Sequence, residues 1–194
     1  MLSEASSWSP MRRRLVIVVA ILCFVASISG AVTIWWRYRY PYGWSHCCDK
    51  QLYTALRTYA ESHDEHFPEG GETPEASLGL LYIWDPQWAN PDLLRGKTVP
   101  EEFVRSRLDR GLPLTPETCG WHYVEGLTLE DAGSLGLFWD KAGLGHNGER
   151  LSDGGHIVTF VGGHSDYVSA KEWPAFIAQQ KDLRAARPEG DETD

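Results

Sequence analysis

Most of this chain has little positive charge. The formal net charge over 194 residues is −9. The first 40 residues contain one acid and five arginines and contribute +4, which leaves −13 for all the others. An acidic surface repels the phosphate backbone of nucleic acids, and no basic stretch interrupts this one. We therefore expect no nucleic-acid partner.

Sequence patterns of well-known catalytic sites are also missing. The chain has no GxSxG or HExxH pattern, and the GKT at 96–98 lacks the upstream glycine of a phosphate-binding loop. We therefore predict a structural or interaction protein that is not an enzyme. Two alternatives stay open, namely a ligand- or metal-binding sensor head and a membrane-tethered hydrolase without a recognisable motif.

Only one long apolar run is present, Leu15–Trp36, and it holds 22 residues without a charge. As a helix with a rise of about 1.5 Å per residue it would measure about 33 Å, which is enough to cross a hydrocarbon core of about 30 Å. The run predicts a transmembrane helix, with membrane lipid as its partner. Aromatic residues that would form an interfacial belt lie at its end and after it: Trp35, Trp36, Tyr38, Tyr40, Tyr42 and Trp44.

The arginines around this run predict its orientation. Arg12, Arg13 and Arg14 precede it, and Arg37 and Arg39 follow it. The more positive side stays in the cytoplasm, so we expect a single-pass signal-anchor in a bacterial inner (cytoplasmic) membrane with its head outside the cytoplasm. A cleaved signal peptide is the alternative, because small residues at 26–31 could form a cleavage site.

These features predict a chain of five segments. They are a basic cytoplasmic segment (1–14), a transmembrane helix (15–36), a linker (37–46), an α+β head (47–181) and a disordered acidic tail (182–194). The head begins with an amphipathic helix at Asp49–His63, because Leu52, Leu56, Tyr59 and Ala60 recur at helical spacing.

Prolines are concentrated in the middle of the head. Residues 67–118 hold seven of the eleven prolines and predict long ordered loops with short helices at 78–82 and 101–108. We expect order there because Trp84, Trp88 and Phe103 need burial. Apolar runs at 121–124, 135–139, 157–161 and 165–168 predict a small antiparallel sheet. A capping box at 169–172 predicts a C-terminal helix to about Gln180.

Four stretches of the head resemble one family in their order along the chain. Residues 52–70 resemble an "ALxxYAxDxxGxFP" helix end, and SLGLLY at 77–82 resembles a following "SLxxLY" helix. GWHYVEGLT at 120–128 resembles a "YxYVxGLT" strand, and residues 154–173 resemble a "GGxNVLFxDGHVxxVS" hairpin and helix. These patterns are typical of type II secretion pseudopilin-like and type IV pilin-like proteins of the planctomycete type. The resemblance implies a pseudopilin-like head, with other pseudopilins or secretion-system proteins as partners.

The chain departs from this family at two points. Residues 11–19 contain neither the glycine nor the glutamate of a prepilin-peptidase site, and Gly162 replaces the acid of the hairpin "DG" turn. We therefore expect a permanently anchored relative and not a filament subunit.

Histidines and acids near the hairpin are the weak candidates for a metal site. They are His146, Asp153, His156 and His164, and a solvated turn is the alternative interpretation. The resemblance also implies a possible calcium site, since related secretion pseudopilins bind calcium near this end. Asp140, Glu149 and Asp153 would be suitable oxygen ligands. Without a supporting spacing, we predict no cofactor.

Cysteines offer one candidate cross-link. Outside the cytoplasm, Cys47 or Cys48 could form a disulfide with Cys119. Buried, reduced thiols are the alternative.

Overall fold

A computed structural model describes residues 9–44 and 49–187 of the chain. The chain divides into two compact units, Met1–Tyr40 and Pro41–Asp194. The described part of the first unit consists mainly of one helix, and the second unit, called the body below, contains the segment predicted to be the head.

The helix of the first unit, α1, covers Pro10–Arg39. Ser9 caps it by accepting a hydrogen bond from the backbone N–H of Arg12, and Pro10 occupies the first turn, where a missing N–H costs nothing. No residue of α1 is buried. The helix contains the predicted apolar run and is long and apolar enough to cross a membrane.

The body is a mixture of helices and one sheet, as predicted. Its elements are α2 (Asp49–Glu61), α3 (Pro74–Trp84), α4 (Pro91–Leu94), α5 (Glu101–Leu108), β1 (Trp121–Tyr123), β2 (Gly136–Asp140), β3 (His156–Phe160), β4 (Ser165–Val168) and α6 (Trp173–Ala185). The four strands form one antiparallel sheet in the order β1-β2-β3-β4. Gly163 has a φ of +82° in the tight β3–β4 turn, a conformation that glycine adopts without steric cost.

Two apolar clusters hold the body together. The larger one includes Leu52 and Leu56 of α2, Leu78 of α3 and Phe138 of β2, all nearly or fully buried. The expected apolar face of α2 is therefore confirmed. The smaller cluster combines Val158, Phe160 and Val168 of the sheet with Phe176 of α6. The sheet thus contributes to both clusters, and α6 packs on the smaller one.

The helices differ from the sequence prediction in three ways. α3 is longer than expected, because the Thr73 side chain accepts a hydrogen bond from Ala76 N and starts the helix at Pro74. The short helix α4 was not expected and is capped by Asn90. α6 begins just after the capping-box residues and continues to Ala185, into the segment predicted to be a disordered tail.

The expected burial of two aromatic residues was wrong. Trp88 is 46% exposed and Phe103 is 58% exposed. On α5 the buried positions are Val104 and Leu108, so Phe103 lies on the solvent side of that helix. The proline-rich segment is ordered by its aliphatic residues instead.

Candidate functional site

Four charged or titratable residues from separate parts of the body meet at one place. Asp49 is the first residue of α2, Lys97 follows α4, Asp140 ends β2, and His146 lies between β2 and β3. We call these four residues the charge cluster. Its members come from four different segments, so it connects the beginning of the body to the sheet.

The ammonium group of Lys97 lies between two carboxylates. Its Nζ is 3.0 Å from Oδ1 of Asp49 and 2.5 Å from Oδ2 of Asp140. The side chains are almost completely buried, with exposed fractions of 1% for Lys97, 3% for Asp49 and 4% for Asp140. The Nζ also lies 5.4 Å from the ring centroid of Trp121, within the range of a cation–π contact.

His146 is the member of the charge cluster that reaches solvent. Its Nδ1 lies 2.7 Å from Oδ2 of Asp49, and its side chain is 49% exposed. An ionised carboxylate only accepts hydrogen bonds, so Nδ1 is the donor in this pair. The buried carboxylate of Asp49 therefore connects the ammonium on its inner side with an imidazole at the surface.

Burial and the neighbouring charges act against each other in this cluster. Burial raises the pKa of Asp140 to about 6, against the opposing effect of Lys97. Burial alone would lower the pKa of Lys97, but the carboxylates of Asp140 and Asp49 outweigh it and the pKa is raised. Lys97 is therefore an ammonium near neutral pH, and Asp140 takes up a proton more readily than an exposed aspartate does.

Two glycines allow Lys97 to reach this position. Gly96 has a φ of +66°, and a Cβ at this residue would lie 3.0 Å from the backbone of Gly120. A Cβ on Gly120 would lie 2.5 Å from the carbonyl oxygen of Arg95. The segments around Gly96 and Gly120 are also joined by a hydrogen bond of 2.9 Å from Gly120 N to Arg95 O. Only glycine at both positions permits this close backbone approach.

The structure gives the four predicted metal-site residues separate partners. His146 contacts Asp49, and Asp153 accepts a hydrogen bond from the hydroxyl of Tyr167. His156 Nδ1 lies 3.0 Å from the carbonyl oxygen of Asp140, and the ring of His164 stacks on Phe160. Among residues 9–44 and 49–187, no group of three or more His, Cys, Asp or Glu could hold a metal ion.

The predicted calcium ligands are also engaged elsewhere. Asp140 binds Lys97, whereas Glu149 accepts a hydrogen bond from the backbone N–H of Asn147. Asp153 accepts hydrogen bonds from Gly155 N and Ala170 N, and so fixes the loop before β3. Each of these carboxylates therefore stabilises a different segment of the body, and they do not form one site.

Cys119 is a fully buried free thiol close to the charge cluster. Its Sγ lies 3.5 Å from the carbonyl oxygen of Leu94, and burial raises its pKa to about 12. A thiol in this state is a poor nucleophile. Cys47 and Cys48 lie outside the described residues, so the predicted disulfide stays a prediction.

Sequence reasoning missed the charge cluster. The sequence places Lys97 in the GKT of an incomplete phosphate loop and suggests Asp140 as a calcium ligand, and neither pattern predicts a contact between them. One signal was available, because Asp140 ends a strand whose other residues are Gly136, Leu137, Phe138 and Trp139. A charge that continues an apolar strand into the interior needs a partner of opposite charge.

Neither a scan against protein-family models nor searches of curated proteins and of solved structures finds a match to this chain. Its function is therefore inferred from its own residues.

Proposed function

We propose that this chain is a membrane-anchored structural or interaction protein with a pseudopilin-like head. The observation that carries the proposal is α1, a 30-residue helix without a buried residue, which precedes a body with its own apolar core. The anchor is retained in a bacterial inner membrane, and the acidic body lies outside the cytoplasm.

The exposed surface of α1 supports a lipid environment. Leu22, Phe24 and Ile34 are 63%, 67% and 72% exposed, and the run from Leu15 to Trp36 has no charge. Apolar surface left in water costs about 25 cal/mol per Å². A helix with apolar side chains on all sides is stable when lipid or other membrane helices cover it.

The order of elements in the body supports a pseudopilin-like head. A first amphipathic helix, a proline-rich segment with short helices and an antiparallel sheet follow one another. The charge cluster fits a structural role better than contact with a substrate, because Lys97 already engages two buried carboxylates. The partners proposed by the resemblance are other pseudopilins or secretion-system proteins.

Reporter fusions after Asp194 test the orientation. We expect activity from a reporter that works outside the cytoplasm, such as alkaline phosphatase, and none from a cytoplasmic reporter. As a matched control, replacing Arg12, Arg13 and Arg14 by Gln leaves positive charge only after the span, so the orientation should become mixed or reversed. A cytoplasmic C-terminus in the unchanged chain would contradict the proposal.

Photo-crosslinking tests the partnership. A photo-reactive residue replaces Val25, which is 53% exposed near the middle of α1, and the chain is co-expressed with pseudopilins of one secretion system. We expect a covalent adduct with a pseudopilin that disappears when the same residue is placed at exposed Gln51 of the body. An anchored chain that forms no such adduct would contradict this partnership.

A further inference from the structure

The charge cluster holds an amine and a carboxyl group in contact with each other, and both side chains are almost completely buried. Lys97 Nζ and Asp140 Oδ2 are 2.5 Å apart, and neither side chain is more than 4% exposed. A second carboxylate, on Asp49, reaches the same nitrogen at 3.0 Å. An ordinary structural ion pair needs only two of these three groups.

We propose that Lys97 and Asp140 form an intramolecular isopeptide bond, with Asp49 as the catalytic residue that transfers the proton. The bond would join the segment after α4 to the end of β2 and replace the salt bridge between them.

The reaction balances without any other reagent. One ammonium proton moves to Oδ2 of Asp140, which gives a neutral amine and a carboxylic acid. The lone pair of Nζ then forms a bond to Cγ of Asp140, and a second proton leaves the nitrogen for Asp49. Asp49 passes this proton to the departing hydroxyl, the C–O bond breaks and one water is released. Asp49 ends ionised, as it began.

Burial favours the amide over the separated ions. In water an ammonium and a carboxylate are strongly hydrated, and this hydration opposes their condensation. Inside the body these groups have lost almost all contact with solvent, so the charged pair no longer gains that stabilisation. The raised pKa of Asp140 also favours the carboxylic acid form that the reaction needs.

The product keeps the net charge of the cluster and removes its ion pair. When ionised, Asp49, Lys97 and Asp140 together carry a net charge of −1, and the amide leaves the same charge of −1 on the carboxylate of Asp49. That carboxylate keeps its 2.7 Å contact with His146 and can accept a hydrogen bond from the new amide N–H. Half-exposed His146 also gives Asp49 a connection to solvent protons.

The mass of the full-length chain tests the bond directly. The chain is purified in detergent, reduced, alkylated and denatured before intact-mass measurement. We expect a mass lower than calculated by one water molecule. After trypsin digestion, the peptide 96–105 should remain joined to the peptide 111–141. A full calculated mass, or a water loss located at another residue, would overturn the proposal.

Variants distinguish the proposed Lys97–Asp140 bond from other reactions of the chain that release water. Lys97→Arg cannot form the amide and should have its full mass. Asp140→Asn should lose ammonia instead of water, so that its cross-linked form has the same mass as the cross-linked natural chain. Asp92→Asn removes an exposed carboxylate that pairs with Arg95 in the same segment, and it should leave the extent of cross-linking unchanged.

Asp49→Asn tests the proton transfer. Circular dichroism first establishes that this variant is folded, and its cross-linked fraction is then measured against time. At the time when the natural chain is completely cross-linked, we expect most Asp49→Asn chains still to have their full calculated mass. Equal cross-linking in both proteins would overturn the role assigned to Asp49.

Discussion

Lys97 Nζ lies within hydrogen-bond distance of both the Asp49 and the Asp140 carboxylates. Because these carboxylates are buried, removing the cation should be costly. We expect Lys97→Met to lower the free energy of unfolding by at least about 3–5 kcal/mol, the range for breaking a buried ion pair, because the substitution also removes the proposed covalent bond to Asp140. Chemical denaturation of the purified chain measures this change.

A double variant provides the control for this prediction. Adding Asp140→Asn to Lys97→Met removes the charge of one of the two carboxylates that Lys97 contacts, so part of the lost stability should return. A single variant as stable as the natural chain would show that Lys97 does not compensate these carboxylates.

Cys119 gives a second prediction at the residue scale. Since the thiol is fully buried and its pKa is about 12, we expect no alkylation in the native state. Complete alkylation should follow in denaturant. Mass spectrometry with and without prior reduction also tests the predicted disulfide, because a bond to Cys47 or Cys48 would make alkylation depend on reduction. Rapid labelling of the native chain would contradict the burial.

At the scale of elements, α2 depends on its buried face. Leu56 is fully buried in the larger apolar cluster, so Leu56→Ala should reduce the free energy of unfolding by about 2–5 kcal/mol. Gln51→Ala on the exposed side of the same helix is the matched control and should change it by less than about 0.5 kcal/mol. Similar effects of the two substitutions would show that α2 is not packed as described.

The periodicity of apolar residues explains which elements were predictable. α2 repeats apolar residues at helical spacing, and the hairpin of β3 and β4 has two apolar runs around a pair of glycines. α4 and the start of α3 depend on single capping side chains, Asn90 and Thr73, amid prolines that break the periodicity.

The charge cluster was not predictable in the same way. Asp49 and Asp140 are far apart in the sequence from Lys97, and only the packing of α2, the segment after α4 and β2 brings them together. Local patterns contain no information on such contacts. The exposure of Phe103 has the same origin, because the tertiary packing of α5 selects Val104 and Leu108 for burial.

At the scale of the whole molecule, the body should fold without its anchor. Both apolar clusters consist of body residues alone, and residues 45–194 carry a charge of −13 that opposes association. We expect this fragment to be soluble and to unfold cooperatively on heating. Insoluble material, or a fragment with secondary structure but no cooperative transition, would contradict an independent body.

We propose that the N-terminal apolar helix distinguishes this chain from a filament subunit. A prepilin peptidase requires a small residue before its cleavage point, whereas Arg14 precedes the apolar run here. A filament also needs an acid near the new N-terminus to neutralise the amine of a neighbouring subunit, and Leu15–Trp36 contains none. An unmatched charge inside an apolar bundle is strongly unfavourable.

We therefore expect no cleavage when the chain is co-expressed with a prepilin peptidase. Intact-mass measurement of the purified chain should give an unshortened protein without N-terminal methylation. A true prepilin expressed beside it provides the positive control, because it should be shortened and methylated by the same enzyme. α1 ends at Arg39 and Pro41 follows, so the long continuous helix of a filament core is also interrupted. A shortened and methylated product from this chain would make it a filament subunit and contradict the permanent anchor.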